Sequence, residues 1–242
     1  MKVTVVGCSP AWPNPGGAHS GYLVQGSGSL LVDCGPGVLG RLRRGGLWPD
    51  VDGIAITHFH LDHWGDLVPW VWGASYLEGR EQARPRPELR VPPNGRARLA
   101  HFGELLGFPD MFERIFVLSE YEPDLPFELA GFSVTASRVP HYDLDAYGFR
   151  VGDGTRTLAY SGDSAPSDAL VEIARDADLF VCEGTLASSA HDGPTRGHLA
   201  LDEAVDAFER SGAKRLLVTH RPAELPTDES LELAYDGMVC EL

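Results

Sequence analysis

A chain of 242 residues, 43% hydrophobic and 23% charged, has the composition of an ordinary soluble globular protein, and no apolar run approaches the roughly 20 residues a membrane span needs. Its net charge of −15 argues against a broad electrostatic footprint for nucleic acid. Four scattered cysteines without C-x-x-C spacing exclude a zinc knuckle, and the opening MKVTVVGCSP is too short for a secretory segment, so the expected setting is a reducing cytoplasm.

In chain order, VTVVG, GYLVQG and SLLVDCG are predicted strands, apolar runs bounded by Gly, Pro and Asp. GIAITH follows, then a helix from Asp66, DLVPWVWGASYLEG, with Pro69 in its first turn. Between Arg80 and Arg98, six arginines stand against Glu81 and Glu88, and the many prolines predict a solvated loop. FSVTAS, TLAYSGD, DLFVCEG and RLLVTH are further strands. PSDALVEIARDA and LDEAVDAFERSG are helices, the second with Leu201, Ala204, Val205 and Phe208 on one face and Gly212 as its stop. Strands come unbroken early and alternate with helices later. That pattern predicts packed sheets with helices outside, and no linker or repeat divides residues 1–242 into more than one domain.

Three apolar runs end in a polar residue of ligand type: His58, Asp163 and His220. In layered α/β proteins, sites gather beyond the carboxyl ends of strands. The stretch HFHLDH adds His60, Asp62 and His63. An extended backbone puts His58 and His60 on one side, while Asp62 and His63 follow a turn and can serve a second ion. His141 in VPHYD sits on the loop after a strand. Asp163 has two oxygens and can bridge ions roughly 3.5–4 Å apart. His19, His101 and His191 stand alone and are expected to be ordinary surface or core residues.

The order His58-His60-Asp62-His63, then His141, Asp163 and His220, resembles the metallo-β-lactamase superfamily over almost the whole chain. The opening GCSPAWPNPGGAHSGYLVQ and LLVDCGPGV, with Asp33, is similar to that superfamily's early hairpin and buried aspartate. The resemblance implies a four-layer αβ/βα sandwich of α/β class with two zinc ions between the sheets, manganese or iron being substitutes. It makes all seven residues metal ligands. The bridging position holds Asp163 and not Cys, unlike the antibiotic-hydrolysing branch, and His60 stands where flavodiiron proteins carry a glutamate.

TRGHLALDEAVDAFERSGAKRLLVTH is similar to the ribonuclease Z-like branch. By that resemblance His198 is the general acid that protonates the leaving oxygen, while Asp62 orients the nucleophile as well as binding metal. Glu183 either orients a histidine or is structural. Members that process transfer RNA carry a long arm between the third histidine and the bridging aspartate. From 141 to 163 there are only 22 positions here, which fit a hairpin. The implied activity is therefore hydrolysis of a small phosphodiester such as a cyclic nucleotide, with nucleic acid disfavoured and no membrane partner. A transfer RNA 3′-processing endonuclease gripping RNA with Arg80–Arg98, a lactonase or thioesterase without need of His198, and a non-catalytic metal protein stay open. A homodimer is compatible with the branch. Trp64, Trp70, Trp72 and Tyr142 are candidates for the pocket wall.

Overall fold

In the computed structural model, which describes residues 1–79, 85–226 and 230–242, the early predicted strands are present. β1 (Lys2–Gly7), β2 (Gly21–Gln25) and β3 (Ser29–Val32) form an antiparallel meander. Helix α1 (Val38–Arg44) leads to β4 (Gly53–Ala55), parallel to β3. The turn expected within HFHLDH is one turn of helix, α2 (Leu61–Trp64). Pro69 falls in the first turn of α3 (Leu67–Leu77), where a missing N–H breaks no helical bond.

The expectation for Arg80–Arg98 is corrected over the residues described, 80–84 lying outside them. Glu88–Val91 is a strand, β5, and Gly95–Leu105 is a helix, α4. After α5 (Met111–Ile115) comes β6 (Val117–Glu120), so β5 lies inside the sheet between β4 and β6. Leu89 and Val91 alternate with Glu88 and Arg90, and the buried pair decides the conformation. Glutamates offset the arginines: Arg90 pairs with Glu88 at 3.1 Å and Arg96 with Glu113 at 2.7 Å.

The second half builds another sheet. β7 (Pro126–Leu129), β8 (Phe132–His141), β9 (Leu144–Gly152) and β10 (Thr157–Tyr160) run antiparallel. Helix α6 (Asp168–Ala174) is capped by Ser167, whose hydroxyl accepts from the Ala169 N–H at 3.1 Å. β11 (Leu179–Glu183), α7 (Leu201–Ser211) and β12 (Leu216–Thr219) add two parallel strands, and β13 (Val239–Glu241) returns to pair with β1. Among the described residues the two sheets run β13–β1–β2–β3–β4–β5–β6 and β12–β11–β10–β9–β8–β7.

Alternate residues of the strands face different layers. Leu30 and Val32 join Phe132, Phe149, Tyr160 and Val181 between the sheets. Leu31 faces outward against Val38, Leu42 and Trp70 of α1 and α3. Ala159, Phe180 and Val218 face outward on the other side, against α6 and α7. Strands buried on both faces read as unbroken apolar runs, which is why they were visible in the sequence. The order helices, sheet, sheet, helices is the expected four-layer αβ/βα sandwich. The predicted face of α7 is rotated: Ala204, Ala207 and Ser211 are buried, while Leu201, Val205 and Phe208 pack at its margin. Small residues there let the helix lie close to the sheet. Among the described residues no helix is long and apolar enough to cross a membrane.

Candidate metal centre

One edge of the sandwich collects the carboxyl ends of both sheets. β3 leads into Asp33, β4 runs through Ile56 and Thr57 into His58, β8 ends in His141, β10 leads to Asp163, β11 ends in Glu183 and β12 delivers His220. His141 is thus the last residue of a strand and not part of the loop beyond it, paired across the hairpin with Leu144. Gly162 makes the turn before Asp163 at φ 59°, and a side chain there would collide with the Tyr147 carbonyl.

Asp163 is the axis of the site. Its Oδ2 lies 3.7 Å from His58 Nε2 and 3.8 Å from His141 Nε2, while its Oδ1 lies 3.3 Å from His63 Nε2 and 3.6 Å from His220 Nε2. Asp62 Oδ2 stands 3.5 Å from His63 Nε2 and 3.2 Å from His220 Nε2. His60 Nδ1 lies 2.9 Å from His141 Nε2. The seven predicted residues therefore form two groups, His58-His60-His141-Asp163 and Asp62-His63-Asp163-His220, in each of which the ligand-type atoms lie within 4.8 Å of one another.

Outer partners fix the imidazoles. His63 Nδ1–H donates to Asp33 Oδ2 at 2.7 Å, and His141 Nδ1–H to the Gly197 carbonyl at 2.6 Å. The Thr57 hydroxyl gives its proton to Asp33 and meets His58 Nδ1 at 3.1 Å. The Thr185 hydroxyl gives its proton to Glu183 Oε2 at 2.7 Å and meets His220 Nδ1 at 2.9 Å. A hydroxyl that has donated its one proton accepts from the ring N–H. All four rings are thereby oriented with Nε2 turned toward Asp163. Asp33, at φ 58°, also accepts the Thr57 N–H and the Tyr160 hydroxyl, so this buried carboxylate is fully bonded.

Burial pushes the imidazolium forms of His58, His60 and His141 down, leaving neutral donors. His63 goes the other way. Burial opposes its charge, but Asp163, Asp33 and Asp62 raise it well above the usual histidine range. Burial favours protonated carboxyls at Asp62 and Asp163, yet His63 and His220 hold both below the ordinary carboxylate range. The donors are imidazole nitrogen and carboxylate oxygen, the chemistry that zinc and its neighbours accept. His58 Nε2, His63 Nε2 and Asp163 Oδ1 are buried without a hydrogen-bond partner, the 3.3 Å His63–Asp163 approach being misaligned for one. Each such group costs about 1–3 kcal/mol unless something meets it. Divalent cations would meet all three, so the residues present fit a metal.

His198 lies beside these groups, its ring 4.9 Å from that of His141 and 5.6 Å from that of His220. Its Nδ1 lies 3.0 Å from Glu183 Oε1, leaving Nε2 free. Burial opposes its charge, but Glu183, then Asp163 and Asp192, raise it to about 9. Glu183, His198 and His220 come close enough to suggest a third metal group. Glu183 is already saturated, however, by the Ser164 and Leu199 N–H groups, the Thr185 hydroxyl and His198. It is a hydrogen-bond hub. Of the aromatic candidates only Tyr142 is at the site, 4.9 Å from the His141 ring. Trp64 and Trp70 are buried in the outer layer, and Trp72 packs on Phe108. Thr57, Thr185 and Asp192 were not anticipated, because short polar residues in loops carry no periodic signal.

Residues 29–221 match the model of the Beta-lactamase superfamily domain. The chain belongs to this superfamily. It is 32% identical over 227 residues to the probable metallo-hydrolase YhfI of Bacillus subtilis, covering 92% of this chain and 87% of that protein. The crystal structure of YhfI superimposes with a TM-score of 0.83 at 27% identity, over 99% of both chains. Human tRNase Z, short form, superimposes with a TM-score of 0.79 at 25% identity, over 100% of this chain and 99% of that one. Ribonuclease Z of Myxococcus xanthus is 26% identical over 306 residues, 100% of this chain and 98% of that protein. The superfamily member described here is a hydrolase of the ribonuclease Z-like branch.

Proposed function

We propose that residues 1–242 act as one dinuclear-zinc phosphodiesterase domain in the cytoplasm, hydrolysing a small phosphodiester such as a cyclic nucleotide. The observation that carries this is the split carboxylate of Asp163, one oxygen toward each histidine group, with His198 alongside. His58, His60, His141 and Asp163 would hold one ion, and Asp62, His63, His220 and Asp163 the other; manganese or iron can replace zinc in such a set. When bound, the ions supply positive charge that acidifies a water and neutralises phosphoryl oxygens. Asp62, buried and ionised, orients the attacking water. His198 donates its Nε2 proton to the leaving oxygen, because Nδ1 is committed to Glu183. The similarity to ribonuclease Z proteins supports phosphorus as the reaction centre.

Two features favour a small substrate. β9, β10 and the turns beside them fill the interval between His141 and Asp163, leaving no length for an arm, and the net charge is −15. The same relatives favour transfer RNA 3′ processing as the second reading, although Arg90 and Arg96 are paired with glutamates and so are poor phosphate grips. The test is a hydrolysis panel of cyclic nucleotides, bis-p-nitrophenyl phosphate, precursor transfer RNA and a lactone. Turnover of the small diesters well above the RNA and the lactone is expected. Efficient cutting of precursor transfer RNA at a defined 3′ junction, at physiological salt, would establish the second reading.

A further inference from the structure

His198 is carried on a segment without helix or strand, where backbone groups ordinarily turn to water. Here they do not. The Gly197 and His198 N–H groups both donate to Asp192 Oδ2, at 2.7 and 2.9 Å. Asp192 Oδ1 accepts the Tyr142 hydroxyl at 3.1 Å, and the carboxylate is 4% exposed. Arg196 forks onto both oxygens of Glu203 at 2.6 and 2.7 Å and also donates to the His198 carbonyl at 3.0 Å. Glu203 in turn accepts the Ala200 N–H at the start of α7. The N–H, C=O and ring Nδ1 of His198 are thus each bound by a different charged side chain: Asp192, Arg196 and Glu183.

The same segment is stitched to the tip of the β8–β9 hairpin. His141 donates to the Gly197 carbonyl and the Tyr142 N–H to the Arg196 carbonyl at 3.1 Å. Tyr142 has φ 49°, a left-handed conformation that costs a non-glycine residue about 1–3 kcal/mol and persists only where its surroundings enforce it. Its ring lies so close to Gly197 that a Cβ there would come within 2.3 Å of it, so only glycine fits.

We propose that Asp192, supported by Arg196 and Tyr142, is the positioning clamp of the proton donor. It fixes the backbone that carries His198 so that Nε2 stands at one place beside His141. This rests on the role of His198 proposed above. General acid catalysis contributes about 10²–10⁴-fold and depends on hydrogen-bond reach to the leaving oxygen. A loop free to move by an ångström forfeits much of that, whereas substrates whose leaving group needs no proton are indifferent.

The experiment compares metal-loaded Asp192→Ala, Asp192→Asn and His198→Ala on two phosphodiesters, one with an alkoxide leaving group and bis-p-nitrophenyl phosphate. Hydrogen exchange at the 197 and 198 amides is followed in the same proteins. Asparagine keeps an acceptor oxygen for both N–H groups and can donate to the Tyr142 oxygen. Asp192→Ala should lose about 10–100-fold on the alkoxide substrate, the scale found when a partner that orients a site residue is removed. It should lose little on the nitrophenyl ester, keep its metal, and exchange both amides faster; Asp192→Asn should recover most of this. Equal losses on both substrates, unchanged exchange, or no recovery by asparagine would overturn the clamp. If His198→Ala itself fails to separate the two substrates, the acid assignment falls and the clamp with it. If His198→Ala separates them and Asp192→Ala does not, only the clamp falls. Should Asp192→Ala not fold, Arg196→Lys, which keeps the charge but loses the fork, must show the same separation.

Discussion

Asp163→Ala tests the site at its most connected atom pair. The substitution removes the oxygen facing His58 and His141 and the oxygen facing His63 and His220, leaving three donors in each group of four. Removing a partner that merely orients a ligand costs about 10–100-fold in metal affinity. Loss of a direct ligand from both groups should reach at least the upper figure for each ion, about 2.8 kcal/mol apiece. Zinc at about 100 times its Kd stabilises a protein by about 2.7 kcal/mol, and that increment should nearly vanish in the variant. Wild-type and variant protein are equilibrated at one fixed free zinc concentration, analysed for metal, and melted with and without zinc. At that zinc concentration the wild type should hold close to two ions per chain and the variant about half of that or less, with little zinc-dependent shift in Tm. Asp163→Asn, whose single carbonyl oxygen can serve one group only, should retain more metal than the alanine variant. Full occupancy in Asp163→Ala would remove this residue from the site.

His198→Ala should keep its metal and lose about 10²–10⁴-fold on diesters with poor leaving groups, with a much smaller loss on bis-p-nitrophenyl phosphate; equal losses would mean that His198 is not the acid. Zinc binding by metal-free protein at pH 7 should release about one proton or more per chain. His63 must shed its proton, while His58, His60 and His141 are already neutral and Asp62 and Asp163 already ionised. Since the proton competes with the ion at His63, affinity should strengthen as pH rises toward the elevated His63 value. Calorimetry in two buffers of different ionisation enthalpy measures the release, and none at all would contradict the charge state assigned to His63.

Legibility in the sequence followed locality. HFHLDH compresses four candidate ligands into six positions, and strands buried on both faces announce themselves as apolar runs. His58, Asp163 and His220 were visible because each directly ends such a run. β5 was hidden because its two buried residues, Leu89 and Val91, are interleaved with Glu88 and Arg90 in a segment crowded with proline and arginine. The large apolar residues of α7 mark only the margin of its buried face, because the residues fully buried there are the small Ala204, Ala207 and Ser211. Asp192 and Thr185 gave no signal at all. Asp192 acts on backbone N–H groups five and six residues away, and Thr185 acts on a histidine 35 residues distant.

Two buried carboxylates, one beside each sheet, organise four of the histidines around Asp163. Asp33, just after β3, holds His63 directly and His58 through Thr57. Glu183, at the end of β11, holds His198 directly and His220 through Thr185. Each therefore sets two histidines at once, so a change at Glu183 would disturb a proposed ligand together with the proposed acid and could not report on either alone. The two halves are also joined across the core. Tyr160 of the second sheet donates to Asp33 of the first, and the Tyr22 and Thr219 hydroxyls meet at 2.6 Å immediately before His220. The rings of Tyr22 and Tyr160 pack 4.8 Å apart between the sheets. Relative placement of the two ligand groups is thus a property of sheet packing and not of either sheet alone. Because interiors are close-packed and yield little, the spacing of the two sheets is firmly set. The loops add the orientation that the sheets cannot supply: the Gly197 carbonyl sets His141, Thr185 sets His220, and Asp192 and Arg196 clamp the backbone of His198.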